Sequence, residues 1–262
     1  MKTGLSTWSF LGLDVVSAVR TVGDAGFEYV ELWGDAPHAF PDWIDRRSLK
    51  DALSSYSMTV TMHAPFAYLN PATPFQPVRG AVEKTLEDFV RFGDYLGARV
   101  ITVHPGNVHN EALVSGSAEN AISTIRKMVK AADGRLAVSV ENQSASTSKY
   151  NYPLATSTKS IEVFLGAVEG LRFTLDTGHA HVSGQSPSRM AQWAGSRLIE
   201  VHLSDNGGTS DDHLVPGEGT ADLKSLREIL SGTDVLLCLE LNPHRYTPQE
   251  VLRASAALRT GT

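Results

Sequence analysis

Two rhythms of apolar residues alternate along this chain. Short, nearly continuous apolar and β-branched runs recur at fairly even intervals: "TGLSTWSF", "FEYVELW", "MTVTMHAPF", "RVITVHPG", "LAVSVENQ", "LRFTLDTG", "RLIEVHLSD" and "DVLLCLELN". Between most of them lie stretches such as "VVSAVRTVGDAG" and "AVEKTLEDFVRFGDYLGA", whose apolar residues stand three and four apart. The first pattern predicts strands buried on both faces, and the second predicts amphipathic helices. Eight such βα units in 262 residues predict an α/β protein, a closed (β/α)8 TIM barrel occupying residues 1–262 as a single domain. An open doubly wound sheet is the alternative. It is disfavoured because no G-x-G-x-x-G follows the first strand and no Gly-x4-Gly-Lys-Ser/Thr occurs.

Barrels of this kind do their chemistry at the carboxyl ends of the strands. The third run ends at His63, the fourth at His104, the fifth at Glu141 and the sixth at Asp176, with His179 just beyond. The seventh ends at His202, followed by a loop with Asp211 and His213, and the eighth ends at Glu240. A lone strand-end histidine or carboxylate is usually a structural hydrogen-bonding group. Six consecutive strands delivering one to the same end of a barrel predict a divalent-metal site with nitrogen and oxygen donors, and the number of imidazoles leans toward Zn²⁺ or Mn²⁺. A metal-free pair of carboxylates acting as acid and base accounts for Glu141 and Glu240 but leaves the histidines without a task.

Composition and charge add limits. The 29 acidic and 23 basic side chains give a formal charge of −6, which weighs against nucleic acid and anionic membrane as partners, although basic residues gathered on one face would still permit either. No stretch reaches the length a membrane span needs, and "MKTGLSTWSFLGLDVVSAVR" lacks the apolar core of a secretory signal, so a cytoplasmic location is expected. Cys238 is the only cysteine and reads as a buried core thiol. A homo-oligomer is compatible with all of this.

Taken together, "HAPF", "VHPGN", "VENQ", "LDTGHA", "EVHLSDNGG", "DDHLVPGEG" and "LELN" resemble, in order and over nearly the whole chain, the xylose isomerase-like barrel superfamily. That superfamily includes sugar and sugar-phosphate isomerases and epimerases, and the endonuclease IV type of apurinic-site nuclease. The isomerase pattern implies one metal held by Glu141, Asp176, His202 and Glu240, with Glu141 and Glu240 moving a proton and His179 touching substrate. The nuclease pattern implies three zinc ions held by those four residues together with His63, His104, His179, Asp211 and His213. All nine residue types are present here, which weakens the single-metal reading.

The loops after the predicted strands favour a small ligand. "WGDAPHAFPDW", "HAPFAYLNPATPFQP", "HPGNVHNEAL" and "SDNGGTSDDHLVPGEG" contain no Lys or Arg, and only Lys149 and Arg245 are expected near the mouth. Phosphate contacts supply most of a nuclease's affinity, so this is unfavourable for DNA. The same loops carry Trp8, Phe10, Trp33, Phe40, Trp43, Phe66, Tyr68 and Tyr150, with Asn70, Asn107 and Asn142. Of these, Trp8, Trp33, Phe66, Asn107 and Asn142 are the expected substrate contacts besides His179, and Asn142 could instead orient Glu141. Packing of loops over the barrel accounts for others. "GGTSDDH" lacks the arginine that ketose epimerases of this superfamily carry there, and "ELWGDAPHAF" lacks the DNA-intercalating segment of the nucleases. The expected activity is therefore isomerisation or epimerisation of a sugar or sugar derivative, phosphorylated or not, with a trinuclear phosphodiesterase as the alternative. A barrel that keeps its metal only for structure or sensing is a third reading. His38, His109, His181, Glu218 and His244 are expected to play no chemical part.

Overall fold

The computed structural model describes residues 2–145, 148 and 150–260. Its strands are β1 (Lys2–Ser6), β2 (Tyr29–Trp33), β3 (Thr59–His63), β4 (Val100–Val103), β5 (Asn107–Val108), β6 (Ala137–Glu141), β7 (Tyr152–Pro153), β8 (Arg172–Asp176), β9 (Leu198–Leu203) and β10 (Leu236–Leu239). The eight longer strands pair in the order β1-β10-β9-β8-β6-β4-β3-β2 and close on themselves, so the (β/α)8 barrel is the fold. Every neighbouring pair in the ring is parallel.

Parallel pairing requires a crossover between successive strands, and helices supply it. These are α1 (Val15–Asp24), α2 (Arg46–Ser55), α3 (Gln76–Leu96), α4 (Val114–Ala132), α5 (Thr158–Ala167), α6 (Thr177–Val182), α7 (Pro187–Ala194), α8 (Leu223–Leu230) and α9 (Pro248–Thr260). Side-chain caps start several of them: Asp14 accepts from the amide of Ser17, and Ser157 and Ser160 form a capping box. The main core lies between strands and helices, where Val19, Leu49, Phe89, Ile125, Phe164 and Leu226 are buried on the inner helix faces. Among the described residues no helix is long and apolar enough to cross a membrane.

Two features differ from the sequence pattern. The first apolar run divides into β1 and a 3-10 turn over Thr7–Phe10, with Ser6 accepting from the amide of Trp8. The loops after β4 and β6 are joined by an antiparallel ribbon in which β5 pairs with β7. Two-residue strands carry no periodicity of their own, so their pairing is visible only in three dimensions.

The barrel interior is stacked in layers. Its floor is a small apolar cluster of Tyr29, Val100, Leu236 and Cys238. A Cβ on Gly4 would lie 2.3 Å from Tyr29 Cδ1 and 2.4 Å from the Tyr29 carbonyl oxygen, so only glycine lets this ring sit here. Barrel interiors are normally filled by branched aliphatics. Here the layer above the floor is polar and fully buried: Thr61 and Thr102 donate to Glu200 at 2.8 and 3.0 Å, Tyr29 donates to the same carboxylate, and Thr102, Thr174 and Ser139 share hydroxyl contacts of 2.9 and 2.6 Å.

Candidate metal centre

The inward direction established by that polar layer recurs two residues further along each strand, because side chains alternate faces with a period of two. His63, Glu141, Asp176 and His202 follow Thr61, Ser139, Thr174 and Glu200 in this way on β3, β6, β8 and β9. His104 follows Thr102 just past β4, and Glu240 stands just past β10. Asp205 accepts from the amides of Asn206, Gly217 and Ala221, and its backbone bridges Leu214, which folds residues 205–221 back over the barrel. Gly219 closes this turn where a Cβ would meet Asp205 Oδ1 at 2.2 Å. The returning loop brings in Asp211 and His213, the latter at φ 46, a left-handed conformation that costs a histidine free energy.

All nine strand-end and loop residues converge. Glu141 is the hub: His63 Nε2 and His104 Nε2 lie 3.1 and 3.2 Å from its Oε2, and His179 Nδ1 and His202 Nδ1 lie 3.3 and 3.4 Å from its Oε1. Asp211 Oδ2 stands 3.0 Å from His179 Nε2 and 3.2 Å from His213 Nε2. Three sets could each hold an ion around the hub, with donor atoms within 4.8 Å of one another: His63, Glu141 and His202; Asp176, His202 and Glu240; and His179, Asp211 and His213. His104 joins Glu141 and His179 in a further set.

The donor set fits cations. Glu141, Asp176 and Glu240 are buried, no Lys or Arg lines the cleft among the described residues, and Asp176 Oδ2, Glu240 Oε1, His104 Nε2, His202 Nδ1 and Asp211 Oδ1 have no hydrogen-bond partner. Uncompensated buried carboxylates are costly, so positive charge must enter. With metal absent, protons are the substitute. Burial disfavours charging His63 and His213, yet Glu141 and Asp211 beside them raise both to about 9. Burial pushes Glu240 up to about 8. Glu141 is held well below the ordinary carboxylate range: burial opposes this, but the surrounding imidazoles outweigh it.

These shifts have one sign in mildly alkaline solution. Groups whose folded pKa is raised stabilise the fold below their unfolded pKa and lose that contribution as pH rises through the folded value. For His63 and His213 the loss runs from about 6.5 to about 9, and for Glu240 from about 4.5 to about 8. Protein kept in a chelator is therefore expected to melt several degrees lower at pH 8.5 than at pH 7, and Zn²⁺ or Mn²⁺ should reduce that difference. Thermal melts at the two pH values check this, and a melting temperature that is flat or rising in chelator refutes it.

A cleft of about 540 Å³ opens above the cluster. Its walls include Trp8, Trp33, Phe66 and Asn107, and also Gln143, Ser144, Asn151, Asn242 and His244. Asn142 is a correction. It does not line the cleft, because its side chain donates to the Asp176 carbonyl at 2.9 Å and accepts from the Asp176 amide at 2.8 Å, tying β6 to β8. Phe10 is core, and Trp43, Tyr68 and Tyr150 point into solvent with 70%, 94% and 74% exposure. Asn70 donates to the Asn107 carbonyl, and His181 pairs with Asn206 outside the cluster. Arg245 lies beside Tyr246, outside the cleft lining, and Lys149 lies outside the described residues. His244, expected to be idle, stands on the cleft wall.

Glu31 and Glu200, the two acids beneath the cluster, are absent from the sequence reading. Each sits inside an apolar run, between Val30 and Leu32 and between Ile199 and Val201, and an acid in such a setting is itself a signal.

A sequence profile described as xylose isomerase-like TIM barrel matches residues 19–260. An uncharacterized protein of Methanocaldococcus jannaschii is 28% identical, over 92% of this chain and 83% of its own. Fructoselysine 3-epimerase of Shigella flexneri is 21% identical, over 98% of both. Among solved structures, that of a D-tagatose 3-epimerase-like protein superposes with a TM-score of 0.84 at 24% identity, covering 100% of this chain and 99% of the other.

Proposed function

Since the chain belongs to the xylose isomerase-like TIM barrel family, we propose that it is a divalent-metal-dependent isomerase or epimerase of a sugar or sugar derivative. The observation that carries this reading is the placement of Glu141 and Glu240. They stand three strands apart around the ring, on the floor of a cleft that no Lys or Arg lines among the described residues. Carboxylates reaching a substrate from two sides can take a proton from one face of a carbon and return one to the other. Likeness to fructoselysine 3-epimerase and to a D-tagatose 3-epimerase-like structure supports the same class.

Glu141, Asp176, His202 and Glu240 would hold the metal. A divalent ion there would polarise adjacent substrate oxygens and acidify the C–H between them. Trp8, Trp33 and Phe66 offer faces for the apolar side of a sugar ring, and Asn107, Gln143, Asn151 and Asn242 offer donors and acceptors for its hydroxyls. Glu240 and Glu141 are the two carboxylates placed to exchange that proton with the substrate carbon.

One observation favours a second reading. The grouping of His179 with Asp211 and His213, beside sets that use His63 and His104, supplies more donors than one ion uses and supports a trinuclear zinc phosphodiesterase. The test combines metal content with turnover. Metal-stripped protein reloaded with Mn²⁺ or Zn²⁺ is expected to exchange one carbon-bound hydrogen of a sugar for deuterium in D₂O, across a panel of aldoses, ketoses, their phosphates and glycosides. Three tightly held zinc ions with cleavage of abasic DNA and no exchange would replace the isomerase by the second reading.

A further inference from the structure

Three of the clustered histidines are oriented by the main chain. His63, His179 and His213 each donate Nδ1–H to a carbonyl, of Ala64, Asn142 and Glu240, at 2.8, 2.8 and 3.2 Å. His202 is reversed. Its Nδ1 lies 3.4 Å from Glu141 Oε1 and 3.7 Å from Glu240 Oε2, and its Nε2 lies 2.8 Å from Glu31 Oε2 in the polar layer below, a charge contact in which neither atom has an aligned hydrogen bond.

Glu31 is fully buried on β2. Its Oε1 accepts from the Cys238 thiol at 3.9 Å and its carboxylate also interacts with Glu240, whereas the neighbouring Glu200 accepts from Tyr29, Thr61 and Thr102. A neutral imidazole carries a single N–H. An anion beside Nε2 draws that hydrogen to Nε2 and leaves the Nδ1 lone pair free. The opposite tautomer would set the Nε2 lone pair against a carboxylate and aim N–H at the site where a cation belongs. A carboxylate behind a ligating imidazole also makes it a stronger donor than a carbonyl does.

We infer that Glu31 is a positioning residue of the centre, holding His202 with Nδ1 toward Glu141, Asp176 and Glu240 and making this the tightest cation site of the cluster. The inference rests on the metal-binding part of the proposed function.

The test uses the full chain, stripped and titrated with Zn²⁺ or Mn²⁺ alone against a chromogenic chelator. In Glu31→Gln the dissociation constant of the tightest ion should rise ~10- to 100-fold, with Glu31→Asp in between. The metal-free melting temperature of Glu31→Gln should stay close to that of the wild type. A merely structural Glu31 gives the reverse, a lower metal-free melting temperature with unchanged ion affinity, and that result overturns the inference. Wild-type protein loaded with ¹¹³Cd and labelled with ¹⁵N-histidine needs no variant: one imidazole should couple to cadmium through Nδ1 and carry its proton on Nε2. Coupling through Nε2 in every metal-bound histidine overturns the inference. Wild-type protein that binds no divalent ion overturns the metal-binding reading as well, whereas equal affinity in wild type and Glu31→Gln overturns the role of Glu31 alone.

Discussion

Glu141→Gln is expected to lower kcat/KM on the responsive sugar by roughly 10⁴-fold and to strip most of the bound metal from the protein. The substitution keeps the shape of the side chain and removes its charge. That charge faces four imidazoles within 3.4 Å, and no other carboxylate in the cluster touches more than two. Deleting it weakens every ion that shares the hub and removes one of the two proposed proton carriers. Steady-state kinetics and metal analysis after gel filtration measure the two losses separately. Retention of a tenth of wild-type kcat/KM would show that Glu141 is not the base.

Glu240→Gln is expected to separate chemistry from binding. Its Oε1 has no hydrogen-bond partner within the protein, so it is free to meet a substrate proton. Hydrogen exchange into D₂O should fall by roughly 10³-fold, while KM changes little and metal content falls less than in Glu141→Gln. His63→Ala is the companion variant. It should be far milder than either in a one-metal isomerase, and losses from His63→Ala equal to those from Glu240→Gln point to a multinuclear centre.

The barrel was legible because its strands are buried on both faces and therefore appear as unbroken apolar runs, and the cluster was legible because strand ends are where such runs stop being apolar. What lay beneath was concealed by the same continuity. Glu31 and Glu200 hide inside "YVELW" and "LIEVHL", where neighbours pointing outward to the helices are apolar. The trace they leave is a polar residue two positions before five of the strand ends: Thr61 before His63, Thr102 before His104, Ser139 before Glu141, Thr174 before Asp176 and Glu200 before His202. The displacement of Asn142 from the cleft was not legible, since an asparagine after a strand can face a ligand or cap a neighbouring backbone with equal ease. Nor were Asn151 and Gln143 as wall residues, because the β5–β7 ribbon that arranges that wall pairs segments more than 40 residues apart.

The carbonyl clamps on three imidazoles bear on how such a centre can diversify. Any residue type supplies a carbonyl, so position 64 can drift in sequence without rotating His63. A lineage can thus exchange cleft walls and alter what it acts on while inheriting the same donor geometry.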